Sequence, residues 1–326
     1  MLHFPILKYI LRRLLQAIPV ILGVVMLCFL MLQLAPGDLA TVLAGESGGA
    51  TDSYISELRI RYGLDQPVYV QLWVYMKNIA LLDLGFSYRH NMSVMQLLLE
   101  RLWPTLLLMG ATLFLSIGGG VLSGLFAALW LNTWKDHLIS ITAIIAYATP
   151  LFWVGLMLIL TFSLALDLFP TSGMEDVVMF YEGWAQVVDI AHHLVLPAIT
   201  LSLFYIALYT RLMRATMLEQ RGLDYVVTAR AKGLTESQVT FRHILRNAIL
   251  PVVTVAGVQF GALLGGSVVV ESVFGWPGLG QLAFDALFSR DYNLLLGIFF
   301  LSACLVVIVN LIVDIIYVFL DPRIRI

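Results

Sequence analysis

The residues from which a nucleotide, metal or nucleophile site would have to be built are few in this chain of 326: four lysines, six histidines and two cysteines. None of Lys8, Lys77, Lys135 and Lys232 is followed by Ser or Thr, and no G-x-x-x-x-G-K-[ST] run occurs, so there is no P-loop to cradle nucleotide phosphate. No H-E-x-x-H and no C-x-x-C is present. Cys28 and Cys304 fall inside apolar runs, where a thiol packs as a small hydrophobe and builds no disulfide framework. The adjacent His192 and His193 point about 100° apart on a helix, whereas a metal needs several converging ligands. Asp314 is an acid within an apolar run, and such groups are functional candidates. Its place about two turns from the end of that run, with Asn310 at i−4, favours a structural pair over a proton relay.

What remains is charge concentrated in one place. Between Arg211 and Pro251 the chain carries Arg211, Arg214, Arg221, Arg230, Lys232, Arg242 and Arg246 against Glu219, Asp224 and Glu236. A basic excess of this kind marks a segment on the cytoplasmic side of a membrane. The spacing predicts two short helices within it. Asp224 is placed to cap the first, over Tyr225 to Lys232, and Gly233 supplies the left-handed stop that only glycine adopts cheaply. Thr235 starts the second, with Gln238 three residues on in the capping-box position. Ala229 and Ala231 beside the elbow leave room for another surface to approach. Helix, glycine elbow and helix make a rigid lever that can push on a partner. A basic segment lying on anionic lipid is the competing reading.

The elements that must hold this lever are apolar. The composition is 60% hydrophobic and 12% charged, with a mean hydropathy of +0.91, outside the range of a soluble domain. The sequence reads as an all-α polytopic membrane protein with six transmembrane helices. Residues 1–13, with Lys8, Arg12 and Arg13, precede a first span over 14–35, whose apolar stretch exceeds that of a cleaved signal. Residues 36–101 form an external region with two amphipathic helices. One covers Tyr54 to Tyr62 and stops at Gly63; the other starts near Pro67 and places Val68, Leu72, Tyr75, Met76 and Ile79 on one face.

A core over 102–320 holds the other five spans, starting at about Leu102, Leu138, His193, Pro251 and Tyr292, with the basic loop 214–247 between the fourth and fifth. In the second, Gly120 and Gly124 form a face for close helix approach. Pro150 should bend the third. Gly257, Gly261 and Gly265 give the fifth a smooth seam suited to helix packing. Asn132 to Asp136 is a tight inside turn, and residues 321–326 are a short cytoplasmic tail. With both termini in the cytoplasm, inside segments hold 13 of the 19 Lys and Arg but only five of the 21 acids. The bias points one way throughout.

The run D-Y-x-x-T-A-R-A-K-G-L from Asp224 to Leu234, followed by R-H-x-L-R-N-A-x-x-P from Arg242, is similar to the EAA-type coupling loop of ABC-importer permeases. In the general E-A-A-x-x-x-G pattern Gly233 is the glycine and Ala229 the second alanine, while Thr228 and Val227 replace the first Ala and the Glu. The run from Glu271 through Phe274, Trp276, Pro277, Gly278 and Leu279 to Gly280 resembles the E-x-x-F-x-x-P-G-L-G signature of that family. It reads as an outside turn with one large aromatic anchor; a tight loop carrying an interfacial Trp is the plainer reading. The phrases Pro36-Gly37-Asp38, Leu64-Asp65-Gln66-Pro67 and Asp83-Leu84-Gly85-Phe86-Ser87 are similar to the external region, with Leu39 departing from the usual proline. The tail Asp321-Pro322-Arg323-Ile324-Arg325 is similar to the family's D-P-R-I-R.

The resemblance covers nearly the whole chain and looks most like the dipeptide/oligopeptide (peptide/nickel) branch. It implies a type I importer permease fold in the bacterial inner membrane, surrounded by membrane lipid and without nucleic acid. It also implies a second similar permease, two cytoplasmic ATP-binding subunits and a periplasmic or lipid-anchored substrate-binding protein. ATP would be used by those partner subunits, this chain binding no cofactor or metal and catalysing nothing. Asp224, Tyr225, Thr228, Ala229, Arg230, Ala231, Lys232, Gly233 and Leu234 would dock into a cleft on an ATPase. Short peptides are the implied cargo, with nickel complexes, glutathione and opine- or sugar-like solutes as alternatives. A proton-coupled secondary transporter using Asp314 is a rival, but such carriers show internal repeats and mid-depth charges, and neither is evident here.

Overall fold

The computed structural model describes residues 3–34, 51–61, 65–87 and 89–320. Pro36-Gly37-Asp38, Gly63 and the Asp321 to Arg325 tail lie outside them, as does the side chain of Asp314. In chain order the helices are α1 (His3–Leu34), α2 (Asp52–Arg61), α3 (Val68–Ala80), α4 (Val94–Leu129), α5 (Trp134–Ala148) and α6 (Leu151–Leu158), which continues as a π-helical turn over Ile159–Ala165. Then come α7 (Trp184–Arg221), α8 (Asp224–Ala231), α9 (Glu236–Gln238), a π-helical stretch over Val239–Ile244, α10 (Leu245–Val258), α11 (Phe260–Phe274), α12 (Leu279–Phe288) and α13 (Tyr292–Leu320). By length and composition α1, α4, α7 and α13 are each able to cross a membrane alone. Two bent pairs, Trp134–Ala148 with Leu151–Ala165 and Glu236–Val258 with Phe260–Phe274, each supply one span more.

Several expected boundaries shift, each for a local reason. The third span is broken rather than bent, its two halves meeting at 105°. Thr149 is extended at φ −82°, ψ 131°, the conformation that a following proline ring enforces, so α5 ends before it and Pro150 precedes the first turn of α6. Pro104, Pro197 and Pro251 by contrast sit inside continuous helices. The helix of the fourth span extends well past Met213, because Met213, Thr216 and Met217 continue the buried face of α7 after its outer face turns polar. The helix that carries the fifth span begins at Glu236, well before Pro251, since the chain stays helical from the lever onward and bends by 58° at Gln259. Asp136 belongs to the first turn of α5, not to the turn before it.

The chain divides into two compact units. Among the described residues the first comprises those up to Trp103 together with Gln281–Leu311. There α3 folds back on α1: Phe29 stacks on Tyr75 at 5.8 Å and Gln33 Nε2 donates to Gln71 Oε1 at 2.8 Å. Ile79 of the expected amphipathic face is buried, while Val68 stays exposed. A short antiparallel ribbon, β1 (Phe86–Ser87) with β2 (Met92–Ser93), pairs Phe86 with Ser93. The Ser87 hydroxyl donates to Asp291, whose carboxylate also accepts from the Leu294 N–H at 3.1 Å, so the ribbon is tied to the start of α13.

Among the described residues the second unit comprises Pro104–Gly280 together with residues 312–320. Its centre is the contact of α4 with α7. A Cβ added to Gly120 would lie 2.4 Å from Tyr209 Cβ, and one on Gly124 would lie 2.6 Å from Met213 Cβ, so the two backbones touch along the expected glycine face. The glycine seam of the fifth span is divided by the bend at Gln259. Gly257 lies against Val313, whereas the space beside Gly265 is open.

Candidate functional site

The lever is present, with a different inner face from the one its sequence implies. Leu223, extended at φ −86°, ψ 150°, precedes the first turn of α8, so Asp224 is the first helical residue and not the cap. An acid at that position still favours the positive end of the helix. Gly233 has φ +80°; its N–H donates to Arg230 O at 2.9 Å and the Leu234 N–H to Ala229 O at 3.4 Å, a Schellman stop. The capping box forms next: Gln238 N donates to Thr235 Oγ1 at 3.3 Å and Thr235 N to Gln238 Oε1 at 3.0 Å. The second arm is not a separate helix, because it runs without interruption into α10.

Val226 and Ala229 are buried, as are Val239, Thr240 and Ile244 of the following arm, so α8 lies folded on that arm. Ala229 therefore serves packing within the chain, and the residues of the elbow left exposed are Asp224, Val227, Thr228, Arg230, Ala231, Lys232 and Gly233. Tyr225 and Leu234 are half-buried, and the Tyr225 hydroxyl donates to Gln220 Oε1 at 2.8 Å. Arg230 bridges the elbow to Glu236 with bonds of 2.7 and 3.1 Å. Its guanidinium holds the Glu236 carboxyl below the usual range, so the pair persists until acid pH protonates Glu236. Being on the surface, this pair orients the arms more than it stabilises them.

Behind the lever a set of contacts fixes its base. Arg214 forms a bidentate pair with Asp136 at 2.8 and 2.9 Å, and the same carboxylate accepts from Asn132 N at 3.0 Å. Arg221 Nη1 donates to Ala128 O at 2.9 Å, satisfying a carbonyl near the C-terminus of α4. Thr216 Oγ1 donates to Ala248 O at 3.0 Å and so links α7 to α10. None of these pairs is visible as a motif. The one available signal is Asp136, an acid where the charge rule expects a basic loop.

The outer signature is a buried clamp, not an exposed turn with an interfacial tryptophan. Glu271 lies in the last turn of α11 and is fully buried. Its carboxyl accepts from Thr105 Oγ1 at 3.0 Å and from Gly280 N at 2.6 Å, while Thr105 Oγ1 accepts from Leu279 N at 2.7 Å. Trp276 is likewise fully buried, its Nε1 donating to Pro104 O at 2.9 Å. Phe274 is buried beside Gly155, and Gly275 adopts φ +58° to turn the chain after α11. The glycines have a steric reason: a Cβ on Gly278 would come 2.4 Å from the Glu271 carboxyl, and one on Gly280 2.6 Å from Val268 Cα. Thr105, which no motif marks, is the residue that sequence reasoning missed here.

His192 and His193 do not converge: Nε2 of the first pairs with Leu168 O at 2.8 Å, and Nδ1 of the second with Asp189 O at 2.9 Å. Among the described residues no group of three His, Cys, Asp or Glu could hold a metal ion.

The family model for a binding-protein-dependent transport system inner membrane component matches residues 120–326, and its N-terminal counterpart matches residues 6–109. The chain belongs to this family. The permease is 41% identical to the oligopeptide transport system permease protein AppB of Bacillus subtilis, over 97% of this chain and 99% of that protein. It is 39% identical to the glutathione transport system permease protein GsiC of Escherichia coli strain CFT073, over 98% and 99%. Its fold is similar to that of a chain of the inward-facing MetNI methionine ABC transporter, with a TM-score of 0.57 and 18% identity, over 70% of this chain and 97% of that one. The permease is thus an all-α, multi-pass component of an inner membrane.

Proposed function

We propose that this permease is one of two membrane subunits of an ATP-driven importer of short peptides, fed by an external substrate-binding protein and driven by two cytoplasmic ATPase subunits. The observation that carries the mechanism is the unbroken helix from Glu236 to Val258, which leads from the capping box at the lever to the bend at Gln259. An ATPase gripping the exposed face of α8 pushes on an arm fixed to the elbow by Gly233 and the Arg230–Glu236 pair. That push reaches the fifth span as a rigid displacement. A tilt there changes which side of the membrane the pathway opens to, in two-state fashion. The permease itself binds no nucleotide and carries out no covalent chemistry.

In this arrangement both termini and the lever are cytoplasmic. Cysteines placed at the exposed Ser53 and Ser237 should react with an impermeant thiol reagent from outside and from inside respectively. Reaction in the opposite sense would overturn the orientation.

Short peptides are favoured as cargo because AppB is an oligopeptide permease, and because the described spans offer no ligand cluster for a bare metal ion. Glutathione is the second reading, which the GsiC relationship supports. Removing this subunit should abolish ATP-dependent uptake of a labelled di- or tripeptide and leave free amino-acid uptake intact. If peptide uptake survives and glutathione uptake is lost, the second reading is correct. Uptake that follows a proton gradient and ignores ATP would exclude the importer class.

A further inference from the structure

Arg211 is a charged residue of α7 without an ion-pair partner among the described residues. Arg214 and Arg221, on the same helix, hold the Asp136 carboxylate and the Ala128 carbonyl. Among the described residues nothing accepts a hydrogen bond from Arg211. Its guanidinium lies instead 4.4 Å from the centre of the Tyr147 ring, and that ring stacks on Phe204 at 4.7 Å. A cation over an aromatic face is held in place but keeps its full charge and its donors.

Two observations bear on the surroundings of this group. The first is depth. Tyr147 lies about three helical turns along α5 from Asp136, which marks the level of the Arg214 pair. Side chains lean toward the start of their own helix, so with α7 entering from the external side, as proposed above, Arg211 leans away from the cytoplasmic headgroups. Arg211 is exposed and Tyr147 is 43% exposed, although a guanidinium facing lipid tails is costly. The second observation is the backbone break at Thr149–Pro150, immediately after Tyr147. Irregular backbone at membrane depth is tolerated where it is buried in protein or lines a water-filled cavity, and exposed Phe152 and Trp153 beyond the break show that this one is not enclosed within the chain.

We propose that Arg211, held on Tyr147, is a transient binding site for the carboxylate of the transported solute; on the peptide reading above, this is the C-terminal carboxylate. The guanidinium is matched to a carboxylate by its forked donors. Tyr147 fixes its position without neutralising it, so the solute meets a ready cation and leaves it without displacing an internal ion pair. A peptide entering with its carboxylate toward the cytoplasm gains this contact before it reaches the level of the Asp136–Arg214 pair.

The test uses the complete importer in proteoliposomes and one dipeptide in two forms, the free acid and the C-terminal amide. The binding protein is the same in every assay, so its own preference cancels when variants are compared by the ratio of acid to amide uptake. Arg211→Gln should lower that ratio about tenfold, the loss of one hydrogen bond to a charged group. Arg211→Lys, which keeps the charge but loses the forked donors, should keep only part of it, and Tyr147→Leu should lower it in part. Copurification with the ATPase subunits identifies any variant that fails to assemble, and the remaining two then decide. Equal slowing of acid and amide, with the ratio unchanged, would overturn the proposal and assign Arg211 to a contact with lipid or with the second permease. If the unsubstituted importer carries no dipeptide but does carry glutathione, the peptide reading fails by itself. The same ratio is then taken between glutathione and its diester, and an unchanged ratio there also overturns the role of Arg211.

Discussion

Replacing Glu271 by Ala should loosen the outer end of the second unit more than any comparable truncation on the surface. The side chain is fully buried and its two oxygens accept from Thr105 Oγ1 and from Gly280 N. Truncation leaves a hydroxyl and a backbone N–H without acceptors, at about 1–3 kcal/mol for each buried group, and opens a cavity besides. The expected readout is a fall of at least about 5 °C in the melting temperature of the purified permease in detergent. Gly278→Ala should act on the same clamp from the other side, because its Cβ would come within 2.4 Å of the Glu271 carboxyl. The cycle of Glu271→Ala with Thr105→Ala separates a shared network from two independent losses. A double variant that costs markedly less than the two singles together supports the clamp, and strict additivity refutes it.

This clamp also shows where sequence reasoning stopped. The spacing from Glu271 to Gly280 marked the segment as special, yet charge and breaker residues in a row read equally well as an exposed turn. What reverses that reading is Thr105, 166 residues away in sequence, which gives the acid a buried partner. Long-range pairs of this kind leave no local trace. The same holds for Arg214 with Asp136 and for Thr216 with the Ala248 carbonyl.

Features set by local chemistry were legible. The capping box at Thr235 and Gln238, the left-handed Gly233, the close approach at Gly120 and Gly124, and the sixth span over Tyr292 to Leu320 all follow from residues within a turn or two of one another. Helix ends near the membrane surface were not. Hydropathy falls at Arg211, but α7 continues because the buried stripe through Met213, Thr216 and Met217 keeps its helical period. At Thr149–Pro150 the sequence implies a bend, and the structure has a break of 105°. Four other prolines, Pro19, Pro104, Pro197 and Pro251, stay within helices, so the residue type alone does not separate an internal proline from a break.

Gly233→Val should uncouple ATP hydrolysis from uptake while leaving membrane insertion intact. Gly233 has φ +80°, and nothing lies within 4 Å of the position its Cβ would take, so the penalty is one of backbone conformation without any clash. A left-handed residue with a Cβ costs about 1–2 kcal/mol, and β-branching is the least tolerated case. Each 1.4 kcal/mol lowers the population of the elbow about tenfold. The elbow is what sets α8 against the arm that runs from Glu236 into the membrane, through the bonds from Gly233 N and Leu234 N and the bridge from Arg230 to Glu236. When it straightens, the face offered by Asp224, Thr228, Ala231 and Lys232 no longer sits at a fixed angle to the fifth span, so a push on it is absorbed locally. Three substitutions should therefore rank by backbone preference and not by size. Gly233→Asn, which tolerates the left-handed region, should keep most ATP-driven uptake, Gly233→Ala should lose part, and Gly233→Val should lose at least tenfold. Equal uptake by all three would show that the lever transmits nothing through this elbow, whereas equal loss would point to glycine's small size at the ATPase contact in place of its backbone.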